Sequence, residues 1–194
     1  MIIFEQQVLF ITAIPLWLLY RIINYFIRIR KNEEFQLKRE LLLNAFFLYC
    51  LAVIGLTFFP LFIGNGMAGT YFNINYIPVV STLNAIKRIQ DSRVSDYMLK
   101  FWIRNIGGNL VLLLPMGLFL PIFWDRFRKI KTIALAGFSI SLTIEILQLL
   151  SAFIGNARTF DIDDIILNTT GAVTCGEYSK KVRMHQPHII NSSV

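Results

Sequence analysis

The sequence predicts an all-α fold, a polytopic transmembrane helical bundle of about five spans. Hydrophobic residues make up 55% of the 194 residues and charged residues only 16%, whereas soluble domains average about 25% charged residues. The apolar residues are concentrated in long runs, and a helix needs about 20 of them to cross the ~30 Å hydrocarbon core of a bilayer. The net charge is +7, and its cations fall mainly between those runs. The chain is therefore predicted to be a multi-pass protein of the cell membrane.

Five segments are candidates for the spans. They are residues 8–27, 41–63, 106–124, 132–154 and 163–182. The first and fourth each contain one charged residue, Arg21 and Glu145. The fifth segment is the weak one, because its apolar centre is short and includes Asn168, several Thr and Glu177. It either spans with neighbouring helices covering its polar groups or forms a re-entrant segment.

The distribution of Lys and Arg predicts the orientation in the membrane, since cytoplasmic connections are richer in these residues. Twelve of them lie on one side, in the connections 28–40 and 125–131 and in the tail after residue 179. The other side has six, five in residues 64–105 and Arg158. The N-terminus is therefore predicted outside and the C-terminus in the cytoplasm. Within 64–105, residues 73–83 predict an extended segment broken by Pro78. Residues 85–103 fit an interfacial helix and a solvated loop about equally well.

The predicted organisation has three parts. Residues 1–40 form the first helix and a cytoplasmic loop, residues 41–182 form the membrane domain, and residues 183–194 form a polar tail. His185 and His188 lie in that tail and are predicted to have no catalytic role. Cys50 and Cys175 are predicted to be membrane-embedded thiols, without a disulfide or a zinc site.

Polar and small residues recur at helical spacing in the last three spans, so each set lies on one helical face. The sets are Asn105, Asn109, Leu113 and Gly117 in the third span; Gly137, Ser141, Glu145, Gln148 and Ala152 in the fourth; and Asp164, Asn168, Gly171 and Cys175 in the fifth. Small residues permit close helix approach. Pro115 removes a backbone donor from the third span and leaves the carbonyl of Val111 without its helical partner.

The stretch "ARTFDIDDIILNTTGA" (157–172) gathers one Arg and three Asp between apolar runs. We expect Arg158, Asp161, Asp163 and Asp164 at the outer mouth of the bundle, because charges inside a membrane usually face its interior and have partners. The sequence thus predicts a polar pocket that opens outward. The pocket residues are Asn109, Glu145, Gln148, Arg158, Asp161, Asp164 and Asn168. The predicted structural positions are Pro78, Pro115, Gly117 and Gly171.

Five of these pocket residues also have a purely structural interpretation. Asp161 and Asp164 fit the N-cap and N3 positions of a helix. Arg158 can simply pair with Asp161, and Gln148 can bond a neighbouring helix. Glu145 can be a protonated, buried structural residue. A carboxylate cage for a divalent cation is a weaker alternative, because the spacing lacks the alternation of a calcium loop.

The quoted stretch and three further motifs resemble, in order, the VanZ-like family of bacterial membrane proteins. "NINYIPV" (73–79) resembles its Asn-x-x-Pro segment, and "GNLVLLLPMGLFLP" (108–121) its Asn-x-x-x-x-x-Pro-x-Gly span. "SLTIEILQLL" (141–150) resembles its Ser-x-x-x-Glu-x-x-Gln helix. "RTFDIDDIILNTTGAVTCG" (158–176) resembles its terminal Arg-x-x-Asp-x-x-Asp-x-x-x-Asn-x-x-Gly element.

The resemblance implies a protein that lowers the susceptibility of a Gram-positive bacterium to teicoplanin and related lipoglycopeptides, with no established catalytic chemistry. The expected partners are the lipid bilayer and either a cell-envelope lipid or the drug. Neither a cofactor, nor a metal, nor nucleic acid is expected. The alternatives are an intramembrane enzyme or transporter for a lipid-linked envelope precursor, with Glu145 or Asp161 as general base and Arg158 holding a phosphate. A scaffold in which these groups only pin the helices is the third interpretation.

Overall fold

The computed structural model describes residues 2–33, 36–64, 73–75, 95–156 and 158–185. The chain divides into an N-terminal unit, Met1–Asn65, and a C-terminal unit, Gly66–Pro187. Four helices in the described part are long and apolar enough to cross a membrane, Gln6–Arg30, Leu37–Phe58, Ile103–Phe123 and Ile130–Ile154. They confirm the predicted all-α, multi-pass architecture. Pro78, most of the connection 64–105 and the tail after His185 lie outside the described residues.

The N-terminal unit is a helical hairpin with polar contacts between α1 (Gln6–Arg30) and α2 (Leu37–Phe58). Glu40 is only 7% exposed and pairs with both Arg21 and Arg28. The Trp17 indole donates to Asn44 Oδ1 at 2.8 Å and stacks on another ring of α2. A charge inside a span is tolerated when it has a partner, and Glu40 supplies that partner for Arg21.

The second helix begins at Leu37, before the predicted start of the span at residue 41. It ends at Phe58 instead of continuing to the predicted residue 63. Pro60 lacks a backbone N–H and cannot extend the helix. The chain turns there into strand β2 (Leu61–Ile63), which pairs antiparallel with β1 (Ile2–Phe4). This small sheet was not anticipated from the apolar run.

The third span consists of two helices, α3 (Ser95–Leu112) and α4 (Leu114–Phe123). The break falls at Leu113, two residues before Pro115, where the proline ring prevents a continuous hydrogen-bond ladder. The helix also begins earlier than the predicted residue 106, so the later part of the predicted interfacial segment continues directly into the span. Residues 85–94 of that segment lie outside the described part.

The fourth span is α5 (Ile130–Ser151), extended by a 3₁₀ turn, Ala152–Ile154. Gly155 follows with φ 113°, a left-handed conformation that glycine adopts readily. The chain then forms strand β4 (Thr159–Asp161), which pairs in parallel with β3 (Asn73–Asn75), Asn75 opposite Asp161. This pairing joins two segments that are far apart in the sequence.

The weak fifth segment forms α6 (Ile162–His185), a 24-residue helix that continues three residues into the predicted tail. It packs against α3, α4 and α5 and is the central helix of the C-terminal unit. Ala172 of α6 is fully buried, and Leu113 and Ile133 in the same unit are 1% exposed. A helix with many polar residues is stabilised in this position, because its neighbours supply hydrogen-bond partners that lipid cannot.

Candidate functional site

The site is centred on the start of α6, where Asp161 occupies the N-cap position. Asp161 Oδ1 accepts a hydrogen bond from the backbone N–H of Asp163 at 2.9 Å, as a capping carboxylate does. The same oxygen accepts from the Asn75 side-chain amide at 2.9 Å across the β3–β4 pair. Asn75 was missed as a site residue from the sequence, although it lies in the "NINYIPV" motif. The sequence could not reveal the contact between Asn75 and Asp161, because it depends on the parallel pairing of β3 with β4.

Glu145 of α5 is a second cap for the same helix. It is 2% exposed, and its Oε2 accepts from the backbone N–H of Asp161 at 3.0 Å. In an ordinary capping box, an acidic residue at N3 reaches back to this N–H. Asp164 occupies N3 here, but its Oδ1 accepts from the Asn109 amide of α3. The hydrogen bond to the N–H of the N-cap residue, which the N3 residue accepts in a capping box, is therefore accepted here by Glu145 of the neighbouring helix α5.

A further polar contact lies two turns deeper in the bundle. The Asn168 amide donates to Ser141 Oγ at 2.9 Å, and these side chains are 1% and 0% exposed. The side-chain oxygen of Asn168 has no hydrogen-bond partner among the described residues. Ser141 lies on the predicted polar face of α5, one turn before Glu145, but had not been singled out as a site residue. Asp161, Asp164 and Asn168 thus connect α6 to both α3 and α5.

The remaining two predicted pocket residues lie at the edge of this network. Gln148 is half-buried, one turn beyond Glu145 on α5. Arg158 is half-buried just before β4 and is close enough to Glu145 for an attractive electrostatic interaction. The ion pairs seen among the described residues do not include Arg158, so the predicted alternative of an Arg158–Asp161 pair is not formed. The guanidinium therefore lies near Glu145 and forms no ion pair with a described residue.

Residues 46–175 of the chain match the family model VanZ/LLP1. The chain belongs to the VanZ-like family. No curated protein and no solved structure matches it. The matched range contains every residue of the network described above, from Asn75 to Asn168.

Three glycines, Gly117 and Gly171 of the VanZ-like motifs and Gly137 of α5, allow helices to approach closely. A Cβ added at Gly117 would collide with the backbone carbonyl of Ala172, and one at Gly171 with the carbonyl of Leu110. A Cβ at Gly137 would lie 3.1 Å from the Ala172 methyl group. These contacts place α3, α4 and α5 close around α6, and they set the distances at which the polar groups meet.

An apolar groove, here called the α5–α6 groove, adjoins the network of the VanZ-like site. Its volume is about 430 Å³, and Phe138, Leu142, Phe160, Ile162, Ile165 and Ile166 line it together with Thr169 and Thr170. Phe160 and Ile162 flank Asp161 in the chain, so the groove begins beside the capped end of α6. Thr169 Oγ1 is buried and has no hydrogen-bond partner among the described residues. The groove is therefore almost entirely apolar, and it begins beside the polar network without being lined by that network's residues.

The carboxylates do not form a metal site in the part of the chain that the structure describes. No group of three His, Cys, Asp or Glu side chains there is arranged to hold a metal ion. The oxygens of Glu145 and Asp161 instead accept backbone N–H groups.

Proposed function

We propose that this VanZ-like protein lowers the susceptibility of a Gram-positive cell to teicoplanin and related lipoglycopeptides by binding an amphiphile at the membrane. The amphiphile is a cell-envelope lipid or the lipid-anchored drug. One observation carries the proposal: the α5–α6 groove begins at Phe160 and Ile162, the chain neighbours of Asp161 in the polar network. Ligand sites are typically 300–1,000 Å³, mostly apolar and equipped with a few placed polar groups. The groove suits an acyl chain, and the polar network beside it suits a head group.

A binding role is favoured over catalysis because the carboxylates already accept hydrogen bonds from the backbone. A general base must reach the proton that it abstracts. Glu145 Oε2 and Asp161 Oδ1 already accept backbone N–H groups, and Glu145 is nearly inaccessible. These contacts suit a rigid scaffold for a binding surface better than an acid–base pair.

The absence of an ion pair between Arg158 and any described residue favours a second candidate, an intramembrane enzyme or transporter for a lipid-linked envelope precursor. A guanidinium binds phosphate with charge-assisted, often bidentate hydrogen bonds. Under this alternative, Glu145→Gln abolishes turnover while the ligand still binds. Under the binding proposal, the isosteric change leaves resistance largely intact, because an amide oxygen still accepts from Asp161.

The proposal is tested by teicoplanin susceptibility in a sensitive Gram-positive host that carries empty vector, wild type or a groove variant. Ile166→Trp places a large ring in the α5–α6 groove, and Leu150→Trp is the control, because Leu150 is 50% exposed and does not line the groove. We expect wild type and Leu150→Trp to raise the inhibitory concentration at matched membrane levels, and Ile166→Trp to abolish the increase. A well-expressed wild type without any effect would contradict the proposal.

A further inference from the structure

A second cavity, here called the α4–α5 groove, lies at the opposite end of α5 from Glu145. Its volume is about 520 Å³. Its apolar wall is formed by Leu120 of α4 and by Leu135, Ala136 and Ile140 of α5. Arg126 and Phe127, from the short 3₁₀ turn Asp125–Arg128, close one end. The groove therefore pairs an apolar wall with a basic end.

Arg126 is an exposed cation at that end of the groove. Its guanidinium lies over the Phe127 ring, 4.6 Å from the centroid, and its carbonyl accepts from Thr132 Oγ1 at 2.8 Å. The neighbouring Arg128 is neutralised by Asp125 at 2.6 Å. Arg126 forms no such ion pair with any residue that the structure describes. One positive charge at the mouth of the groove thus remains uncompensated.

The start of α5, beside Arg126, is also suited to an anion. Its N-cap residue is Lys129, no side chain caps the first turn, and that turn contains no acidic residue. Lys129 and Lys131 are both exposed there. Cations are unfavourable next to the positive end of a helix dipole, whereas a phosphate group would be stabilised by the dipole and by the free N–H groups. The first turn of α5 therefore contains cations but no anion that would stabilise the positive end of the helix dipole.

We propose that the α4–α5 groove binds an anionic phospholipid, with the phosphate beside Arg126 and the start of α5 and one acyl chain along Leu120, Leu135 and Ile140. The charge of the mouth selects an anionic head group, and the apolar wall requires a chain, so the ligand is a lipid of the surrounding leaflet. Basic pockets between membrane helices recognise lipid head groups in this way. The inference is independent of the proposed drug-related function, since it concerns the other end of α5.

The test is native mass spectrometry of the full chain, reconstituted with equal amounts of phosphatidylglycerol and phosphatidylcholine and released in detergent. We expect wild type to retain phosphatidylglycerol preferentially. Arg126→Gln should reduce that preference about fivefold, the effect of one basic residue near an anionic head group. Arg128→Gln is the matched control and should leave it unchanged, because that charge is already paired.

Two further arms separate the contributions of chain and head group. Ala136→Phe fills the groove and should reduce retention of both lipids, while added inorganic phosphate should leave the bound lipid in place. Equal retention of the two lipids by wild type would overturn the proposal, as would equal losses in Arg126→Gln and Arg128→Gln. Undiminished retention by Ala136→Phe, or displacement by inorganic phosphate, would also overturn it.

Discussion

Glu145 shows how a charge inside an apolar span is accommodated. The carboxylate accepts a hydrogen bond from the backbone N–H of Asp161, the residue at the N-cap of the neighbouring helix α6. An unsatisfied buried N–H group costs free energy comparable to a lost hydrogen bond. The network therefore has a structural function that is compatible with a ligand-binding role at its rim.

Replacing Glu145 tests this capping role. Glu145→Ala leaves the Asp161 N–H without its acceptor and should lower the free energy of unfolding by about 1–3 kcal/mol. Glu145→Gln keeps an acceptor oxygen and should cost clearly less. Thermal unfolding in detergent measures both, with Ile146→Ala as the control, since Ile146 is 43% exposed. Equal destabilisation by Ala and Gln would show that the charge, not the hydrogen bond, is what matters.

The Asn109–Asp164 contact can be tested by exchanging its partners. Asn109→Asp places two carboxylates together and should destabilise the protein by roughly 1–3 kcal/mol. In the double variant with Asp164→Asn, residue 164 donates and residue 109 accepts, so most of the lost stability should be recovered. Membrane protein levels and melting temperatures of the two single variants and the double variant provide the measurement. Additive losses in the double variant would contradict direct coupling.

At the scale of elements, the position of α6 follows from its polarity. Buried polar groups such as Asn168 need hydrogen-bond partners that lipid lacks, so α6 packs against three more apolar helices, and glycines let the backbones approach. Gly171→Ala and Gly117→Ala should each destabilise the bundle, because the added methyl meets a backbone carbonyl that cannot rotate away. Overpacking of this kind costs about 1–3 kcal/mol.

Gly108→Ala is the matched control for these two substitutions. It also lies in a helix, but an added Cβ there has no neighbour within 4 Å. Alanine has a higher helix propensity than glycine by about 1 kcal/mol, so Gly108→Ala should be neutral or stabilising. Melting temperatures of the three variants decide the question. A similar loss in all three would mean that backbone flexibility, and not close packing, explains the glycines.

The elements differ in how far the sequence could predict them. Long apolar runs were sufficient to predict the four spans. Pro115 explains the break at Leu113, although only the loss of its backbone donor was predicted and not the division of the span into two helices. The end of α2 was misplaced, because the apolar run continues through Pro60 into a strand. The three-residue strands have no detectable period, and the β3–β4 pair joins residues far apart in sequence. For that reason Asp161 was predicted as a site residue while its partner Asn75 was not.

For the whole molecule, the distribution of cations predicts an outer N-terminus and a cytoplasmic C-terminus. This orientation requires that α6 crosses the membrane as a fifth span. Its 24 residues would extend about 36 Å at 1.5 Å per residue, which is sufficient length. Reporter fusions at the two ends provide the measurement. We expect alkaline phosphatase activity at the N-terminus and green fluorescence at the C-terminus, whereas reporters on the same side would contradict a spanning α6.

The central claim is that the charged network at the start of α6 acts directly in resistance, and Arg158 tests it best because it forms no ion pair with a described residue. The measurement is teicoplanin susceptibility in a sensitive Gram-positive host expressing wild type, Arg158→Ala or the control Lys180→Ala. Lys180 is exposed near the other end of α6. At matched membrane levels, we predict that wild type and Lys180→Ala protect and Arg158→Ala does not. Full protection by Arg158→Ala would contradict the account.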